Sequence, residues 1–117
     1  MKRDLDEIAR TDGRYSPIAF HFVYDGLEYT ANNVVQERGH VSGQTLCEGL
    51  RRMALEKYGR LAWLVLRTWK VKTTRDFGEI VWTLIGHEWM SAQPTDTIDD
   101  FNGVYDFKAV FRDRFTF

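Results

Sequence analysis

The chain has 117 residues, of which 44% are hydrophobic and 15% aromatic, and this is enough apolar material for one domain with a buried core. Its formal net charge of −1 argues against a protein built mainly to coat nucleic acid or an acidic membrane. A single cysteine, Cys47, excludes an internal disulfide and thiolate-rich zinc sites, and it favours a cytoplasmic setting. We therefore expect one domain over residues 1–117.

Neither a membrane span nor an export signal is expected. The longest apolar run, Leu61–Leu66, is far shorter than the roughly 18 residues that a transmembrane helix needs. Five of the first seven residues are charged, and no apolar segment of the kind found in a signal peptide follows them.

Two helices are predicted in the first third of the chain. A short helix carries Leu5 and Ile8 and stops near residue 13, where Thr-Asp-Gly is a natural end. A longer helix begins with Ser16 as N-cap and Pro17 at its first position, and it runs to Arg38–Gly39. Its predicted apolar stripe consists of Phe20, Val23, Leu27, Ala31 and Val34.

Gly26 lies inside this longer helix and weakens it by about 1 kcal/mol relative to alanine. We expect the glycine to be there because another backbone approaches it closely.

Three further helices are predicted at about 43–58, 60–70 and 74–89. Ser42 is the N-cap of the first, and Thr73 with Asp76 forms a capping box for the third. The second carries an apolar stripe of Leu61, Ala62, Val65, Leu66 and Trp69. The third is apolar on two sides, with Phe77, Ile80, Val81 and Leu84 on one and Trp82, Ile85 and Trp89 on the other. It is therefore expected to be central or covered.

After Met90 the helical pattern gives way to a loop, followed by two brief capped turns. Thr97 with Asp100 caps the first turn, and Asp106 caps the second. The alternating end of the chain, Arg114–Phe117, indicates a short strand, with a possible partner near Trp89–Gln93. We expect the aromatic tail to dock on the core, through Phe101, Phe107, Phe111, Phe115 and Phe117.

These elements predict a mainly α fold: one compact bundle of about five helices, helix-turn-helix-like in the middle, with a short C-terminal β element. Four segments also resemble a short planctomycete and verrucomicrobial protein family with no assigned activity. The segments are DGRYSP at 12–17, HVSGQ at 40–44, DFGEIV at 76–81 and VYDF at 104–107. The resemblance implies a bacterial, cytosolic, self-contained domain and no particular mechanism.

A basic segment lies inside the predicted helical core. Residues 51–75 contain eight basic residues and one acid, Glu56, a local formal charge of +7. The basic residues are Arg51, Arg52, Lys57, Arg60, Arg67, Lys70, Lys72 and Arg75. They are interpreted either as a solvated face or as a nucleic-acid face, which would use Arg60, Arg67, Lys70, Lys72 and Arg75.

Catalytic and metal motifs are not recognisable in the sequence. His21, His40 and His87 lack the spacing of a zinc site, and Asp96, Asp99, Asp100 and Asp106 do not match a calcium loop. His21 is interpreted as a partly buried, hydrogen-bonded residue at the core edge, and His40 as part of the turn before a helix cap. Cys47 or Ser42 with a distant histidine and acid remains an open possibility. No metal, cofactor or catalytic residue is therefore assigned.

The leading hypothesis is a non-enzymatic protein-interaction or assembly module. It rests on the excess of aromatic residues, with Trp63, Trp69, Trp82 and Trp89 as the partner surface. A protein partner or homo-oligomer is expected, without membrane binding. The alternatives are a winged-helix-like nucleic-acid-binding protein that uses residues 51–75, and a small enzyme with an unrecognised site.

The predicted caps lead to a stability test. Replacing Ser42 or Thr73 by alanine should lower the free energy of unfolding by about 0.5–2 kcal/mol, because a helix N–H loses its side-chain acceptor. Urea unfolding of each variant measures this loss. Unchanged stability in both variants would mean that the helix starts are misplaced.

Overall fold

The computed structural model describes residues 3–34 and 40–115. Within them lie five α-helices: α1 (Leu5–Asp12), α2 (Pro17–Asn33), α3 (Gly43–Tyr58), α4 (Ala62–Thr68) and α5 (Thr74–Gly86). Shorter helical turns occupy Gly59–Leu61, Ile98–Phe101, Lys108–Arg112 and Asp113–Phe115. The described elements share one hydrophobic core, so the predicted mainly α fold is confirmed.

The helices begin where the capping residues place them. Ser42 Oγ accepts a hydrogen bond from the Thr45 amide at 3.2 Å, at the start of α3. At the start of α5, Thr73 Oγ1 accepts from the Asp76 amide at 3.3 Å, and Asp76 Oδ2 accepts from the Thr73 amide at 3.1 Å. Ser16 similarly caps α2. The predicted N-caps are confirmed.

Helices α2 and α3 approach closely along small residues. A Cβ added at Gly49 would overlap Thr30 Oγ1, and one added at Gly26 would overlap the Leu50 side chain. Thr30 is fully buried, and its hydroxyl donates to the Gly26 carbonyl oxygen at 2.6 Å. The close packing expected at Gly26 is therefore confirmed, but the group that approaches the glycine is the Leu50 side chain and not another backbone.

The buried side of α2 differs from the predicted stripe in its second half. Ala31 is exposed, whereas Gly26 and Thr30 are buried, because α3 packs against the side of α2 that carries these two small residues. The predicted helix end at Arg38–Gly39 lies outside the described residues, and the described helix ends at Asn33.

Helix α5 is central, as its two apolar sides predict. Its residues Phe77, Ile80, Val81 and Leu84 are buried. The C-terminal turn Ile98–Phe101 packs against it.

Phe101 fixes that turn to α3 and α5. A Cβ added at Gly43 would lie 2.9 Å from the Phe101 ring, and one at Gly78 would lie 2.8 Å from it. The buried Thr74 hydroxyl donates to the Phe101 carbonyl oxygen at 2.7 Å and accepts from the Val104 amide at 3.1 Å. Glycine on both sides thus makes room for one aromatic ring that holds the C-terminal segment.

The C-terminal β element was wrongly predicted. Arg114 and Phe115 lie in a helical turn, and the part of the chain that the structure describes contains no strand, at residues 89–93 or elsewhere. The physical reason is that the helical turn that brings the Phe107 and Phe111 rings to 5.0 Å continues from Lys108–Arg112 directly into Asp113–Phe115, so Arg114 and Phe115 are not extended. Asp106 caps that turn by accepting from the Ala109 amide at 3.0 Å. The last two residues of the predicted strand, Thr116 and Phe117, lie outside the described residues.

Docking of the aromatic tail is confirmed for its first part. Phe101, Phe107 and Phe111 are buried and Phe115 is half-buried, while Phe117 lies outside the described residues.

Helices α4 and α5 are shorter than predicted. Helix α5 ends at Gly86, and Glu88 beyond it has a left-handed φ of 66°.

The close approach of α2 and α3 predicts opposite effects for two alanine substitutions. Gly49→Ala should lower the free energy of unfolding by about 1–3 kcal/mol, because its new methyl group collides with Thr30. The matched control is Gly86→Ala in α5, where an added Cβ meets nothing within 4 Å.

Thermal or urea unfolding of both variants measures the difference. The control should stay within about 1 kcal/mol of the parent, on the stabilising side, since alanine favours the helix over glycine. Equal stability of the two variants would contradict the close approach.

Candidate functional site

One side of α4 and the turn before it presents two leucines and two arginines to solvent. We call this surface, consisting of Arg60, Leu61, Leu64 and Arg67, the α4 face. Leu61 and Leu64 are each 59% exposed. Residues 60, 64 and 67 follow one another at helical steps of four and three, which places their side chains on one side.

The opposite side of α4 explains why this face points outward. Ala62, Leu66 and Trp69, again at steps of four and three, are buried. The Trp69 ring lies 5.3 Å from that of Phe22 and 5.8 Å from that of Tyr58. The predicted stripe was therefore wrong at Leu61, which lies in the turn Gly59–Leu61 and points away from the core.

Three of the basic residues in the 51–75 segment form ion pairs with acids outside the segment. Arg51 and Arg52 form ion pairs with Glu48, and Arg75 binds Glu79 at 3.1 Å. The hydrogen bond from Arg51 lowers the pKa of the Glu48 carboxyl group. The predicted nucleic-acid face thus loses Arg75 to an internal contact.

Five other basic residues of the segment are exposed and form no ion pair with any residue in 3–34 or 40–115. They are Lys57, Arg60, Arg67, Lys70 and Lys72. Arg60, in the turn before α4, and Arg67, in α4, are both exposed, and their seven-residue spacing places them on the same side. Lys70 lies beyond the end of α4 with a left-handed φ of 67°, so helical spacing does not set its position.

The four tryptophans do not form a single surface. Trp69 is only 6% exposed and belongs to the core. Trp89 is half-buried and its indole N–H donates to the Arg3 carbonyl oxygen at 2.7 Å, while the half-buried Trp82 lines a pocket described below. Trp63 is also half-buried, and the Arg67 guanidinium lies 5.0 Å from its ring centroid. Trp63 is therefore the tryptophan that borders the α4 face.

The two candidate nucleophiles have structural roles. Cys47 is fully buried, and burial raises the pKa of its thiol to about 12. Ser42 Oγ accepts the Thr45 amide hydrogen and bonds to the Thr45 hydroxyl at 2.9 Å. Neither group is placed to attack a substrate.

Two of the histidines pair with acids on other elements. His21 Nε2 lies 2.7 Å from Asp6 Oδ1, and His40 Nε2 lies 2.6 Å from Asp96 Oδ2. The prediction that His21 is hydrogen-bonded is confirmed by its contact with Asp6. The prediction that it is partly buried was wrong, because the residue between two buried phenylalanines of a helix points to a different side. His87 is half-buried at the end of α5.

A pocket of about 300 Å³ lies between α2, α5, the start of α3 and the segment after α5. We call it the α2–α5 pocket. Its apolar lining comes mainly from Leu27, Leu46, Val81, Trp82, Ile85, Met90 and Phe101. Its ionisable lining residues are His40, Asp96 and Asp100. Sequence reasoning missed this pocket because its walls come from four separate elements.

The described ranges hold neither a metal-binding cluster nor a membrane-spanning helix. They contain no group of three or more histidine, cysteine, aspartate or glutamate side chains arranged to hold a metal ion. None of the helices in residues 3–34 and 40–115 has both the length and the apolar character to cross a membrane.

Comparison of the chain with protein-family models, with curated proteins and with solved structures finds no match.

The burial of Cys47 predicts a slow reaction with thiol reagents. In the folded protein the thiol should resist iodoacetamide up to about pH 9, because the reactive thiolate does not form in the core. Mass spectrometry measures alkylation over time, with the protein in denaturant as the control that must react. Rapid alkylation of the folded protein at pH 7–8 would contradict the buried position.

Proposed function

We propose that the protein is a non-enzymatic interaction module, and that its α4 face binds a segment of another protein carrying acidic side chains around apolar ones. The observation behind this proposal is the α4 face itself. It combines two exposed leucines with two arginines that form no ion pair with a described residue.

The apolar half of the face supports a protein partner. Each leucine that becomes fully buried contributes about 1.5–3 kcal/mol relative to full exposure, and Leu61 and Leu64 are already partly covered, so the gain here is smaller. Exposed leucines standing alone are ordinary, but these two are neighbours on one helical side. The half-buried Trp63 beside them adds an aromatic surface of the kind that interfaces favour.

The charged half of the face selects the partner's chemistry. A guanidinium group forms two parallel hydrogen bonds with a carboxylate, which favours Asp or Glu opposite Arg60 and Arg67. A phosphate backbone would satisfy the arginines and leave the leucines without an apolar contact. The α4 face therefore favours an acidic and apolar peptide segment over nucleic acid.

The polar side of α5 gives a second argument against the winged-helix alternative. In that alternative α5 would be the recognition helix, with side chains free to reach base edges. Instead, Glu79 binds Arg14 at 3.0 Å, and Thr83 accepts from the same guanidinium at 3.3 Å. Arg75, at the start of α5, binds Glu79 and Asp99. Internal contacts thus occupy these side chains.

Selection of random displayed peptides on the purified protein tests the proposal. The enriched sequences should combine Asp or Glu with Leu, Ile or Phe. The affinity of a selected peptide, measured by calorimetry, should fall at least about tenfold in Leu61→Ser/Leu64→Ser and in Arg60→Gln/Arg67→Gln. Thermal stability should stay close to that of the parent, because all four side chains are exposed.

The matched control is Ile18→Ser, which removes another exposed apolar side chain from outside the α4 face and should leave the affinity unchanged. Enrichment of basic or charge-free sequences, or no enrichment, would contradict the proposed partner.

Two further measurements examine other occupants of the α4 face. Binding to duplex and single-stranded nucleic acid is titrated with salt, using the parent and Arg60→Gln/Arg67→Gln/Lys70→Gln. We expect no appreciable binding at physiological salt, and tight, salt-sensitive binding abolished by the triple variant would overturn the proposal. Sedimentation of the parent and Leu61→Ser/Leu64→Ser tests a second copy of the chain. Self-association lost in the variant would make the protein a homo-oligomer through this face.

A further inference from the structure

The α2–α5 pocket is separate from the α4 face. None of the residues that line the pocket belongs to α4 or to the turn before it. An activity of this pocket would therefore be additional to the proposed protein interaction.

The inner lining of the pocket is apolar and well held. Leu46, Val81, Met90 and Phe101 are buried, so each has its position set by packing in the core. Phe101 is also held by the hydrogen bond from Thr74 to its carbonyl oxygen. Pockets with this kind of lining are usually formed before their ligand arrives.

Each ionisable group that lines the pocket is already satisfied by a described residue. Asp96 Oδ2 lies 2.6 Å from His40 Nε2 and accepts from the Gln93 amide at 2.8 Å. Asp100 Oδ2 accepts from the Thr97 amide at 3.1 Å.

Asp100 also lies beside the N-terminal end of α3. A Cβ added at Gly43, the first residue of α3, would lie 3.0 Å from Asp100 Cβ, which places this acid beside the positive end of the α3 dipole. Every ionisable group that lines the pocket thus has a polar partner among the described residues. A charged ligand would lose its hydration and would have to compete with these existing contacts, which is costly.

The volume of the pocket limits the size of a ligand. An engineered apolar cavity of about 150 Å³ accommodates benzene. The α2–α5 pocket, at about 300 Å³, has twice that volume and is at the lower end of the range for small-molecule sites.

From the apolar lining, the polar contacts already made by its ionisable residues and the volume, we infer that the α2–α5 pocket binds an uncharged, apolar small molecule about the size of two fused rings. The half-buried Trp82 offers such a ring system an aromatic surface within the lining.

Three naphthalene derivatives of similar size test the charge preference. They are the uncharged 2-naphthalenemethanol, the anionic 2-naphthoate and the cationic 2-naphthylmethylammonium, each titrated into the full chain by calorimetry at neutral pH. We expect one saturable site, with the alcohol bound at least about tenfold more tightly than either ion. No saturable binding of the alcohol, or an equal affinity for an ion, would overturn the inference.

Two blocking variants locate the binding. Ala31 and Ala92 line the pocket and are exposed, so Ala31→Phe and Ala92→Phe place a large side chain at the opening without disturbing the core. Each should weaken 2-naphthalenemethanol binding at least about tenfold with an unchanged unfolding temperature. The matched control is Ala109→Phe, at an exposed alanine outside the pocket, which should bind like the parent.

Unchanged affinity in both blocking variants would place the binding elsewhere and overturn the inference. The same outcome follows if sedimentation finds a dimer that Ala31→Phe dissociates, since a side chain of a second copy would then occupy the pocket. Leu61→Ser/Leu64→Ser should retain 2-naphthalenemethanol binding. Because that variant changes only the α4 face, it separates a failure of this inference from a failure of the proposed protein interaction.

Discussion

The close contact between α2 and α3 is the constraint on which the rest of the structure depends. Thr30 lies against Gly49, and Leu50 lies against Gly26, so a larger side chain at either glycine would force the two helices apart. The buried Thr30 hydroxyl is satisfied within α2 by the Gly26 carbonyl oxygen, which allows a polar residue at this dry contact. A rigid pair of helices results, against which α5 packs.

The C-terminal segment is held by the same kind of contact, in which the Phe101 side chain packs against glycines. Its ring fits beside Gly43 of α3 and Gly78 of α5, and its carbonyl oxygen accepts from Thr74. This arrangement positions the loop after α5 over the core without a strand or a disulfide in the described residues. One wall of the α2–α5 pocket exists because this ring and the backbone around it are held in place.

Internal charge pairing makes the α4 face and the α2–α5 pocket differ in the charge that they offer to a partner or ligand. Glu48 and Glu79 neutralise basic residues at the two ends of the 51–75 segment, so the exposed positive charge remains nearer its middle, around α4. At the pocket, Asp96 contacts His40 and a backbone amide, and Asp100 accepts from a backbone amide beside the start of α3. The α4 face therefore suits an acidic partner, whereas the pocket suits an uncharged ligand.

The sequence by itself determined the starts of the main helices and the central place of α5. The caps at Ser16, Ser42 and Thr73 act through hydrogen bonds within a few residues. The apolar periodicity of a helix can likewise be recognised in the sequence without knowing which helix packs against it. Only the tertiary structure decided which borderline side chains face outward, as Leu61 and His21 do. It also decided which arginines are paired and where the pocket lies, because these features depend on contacts between residues far apart in the chain.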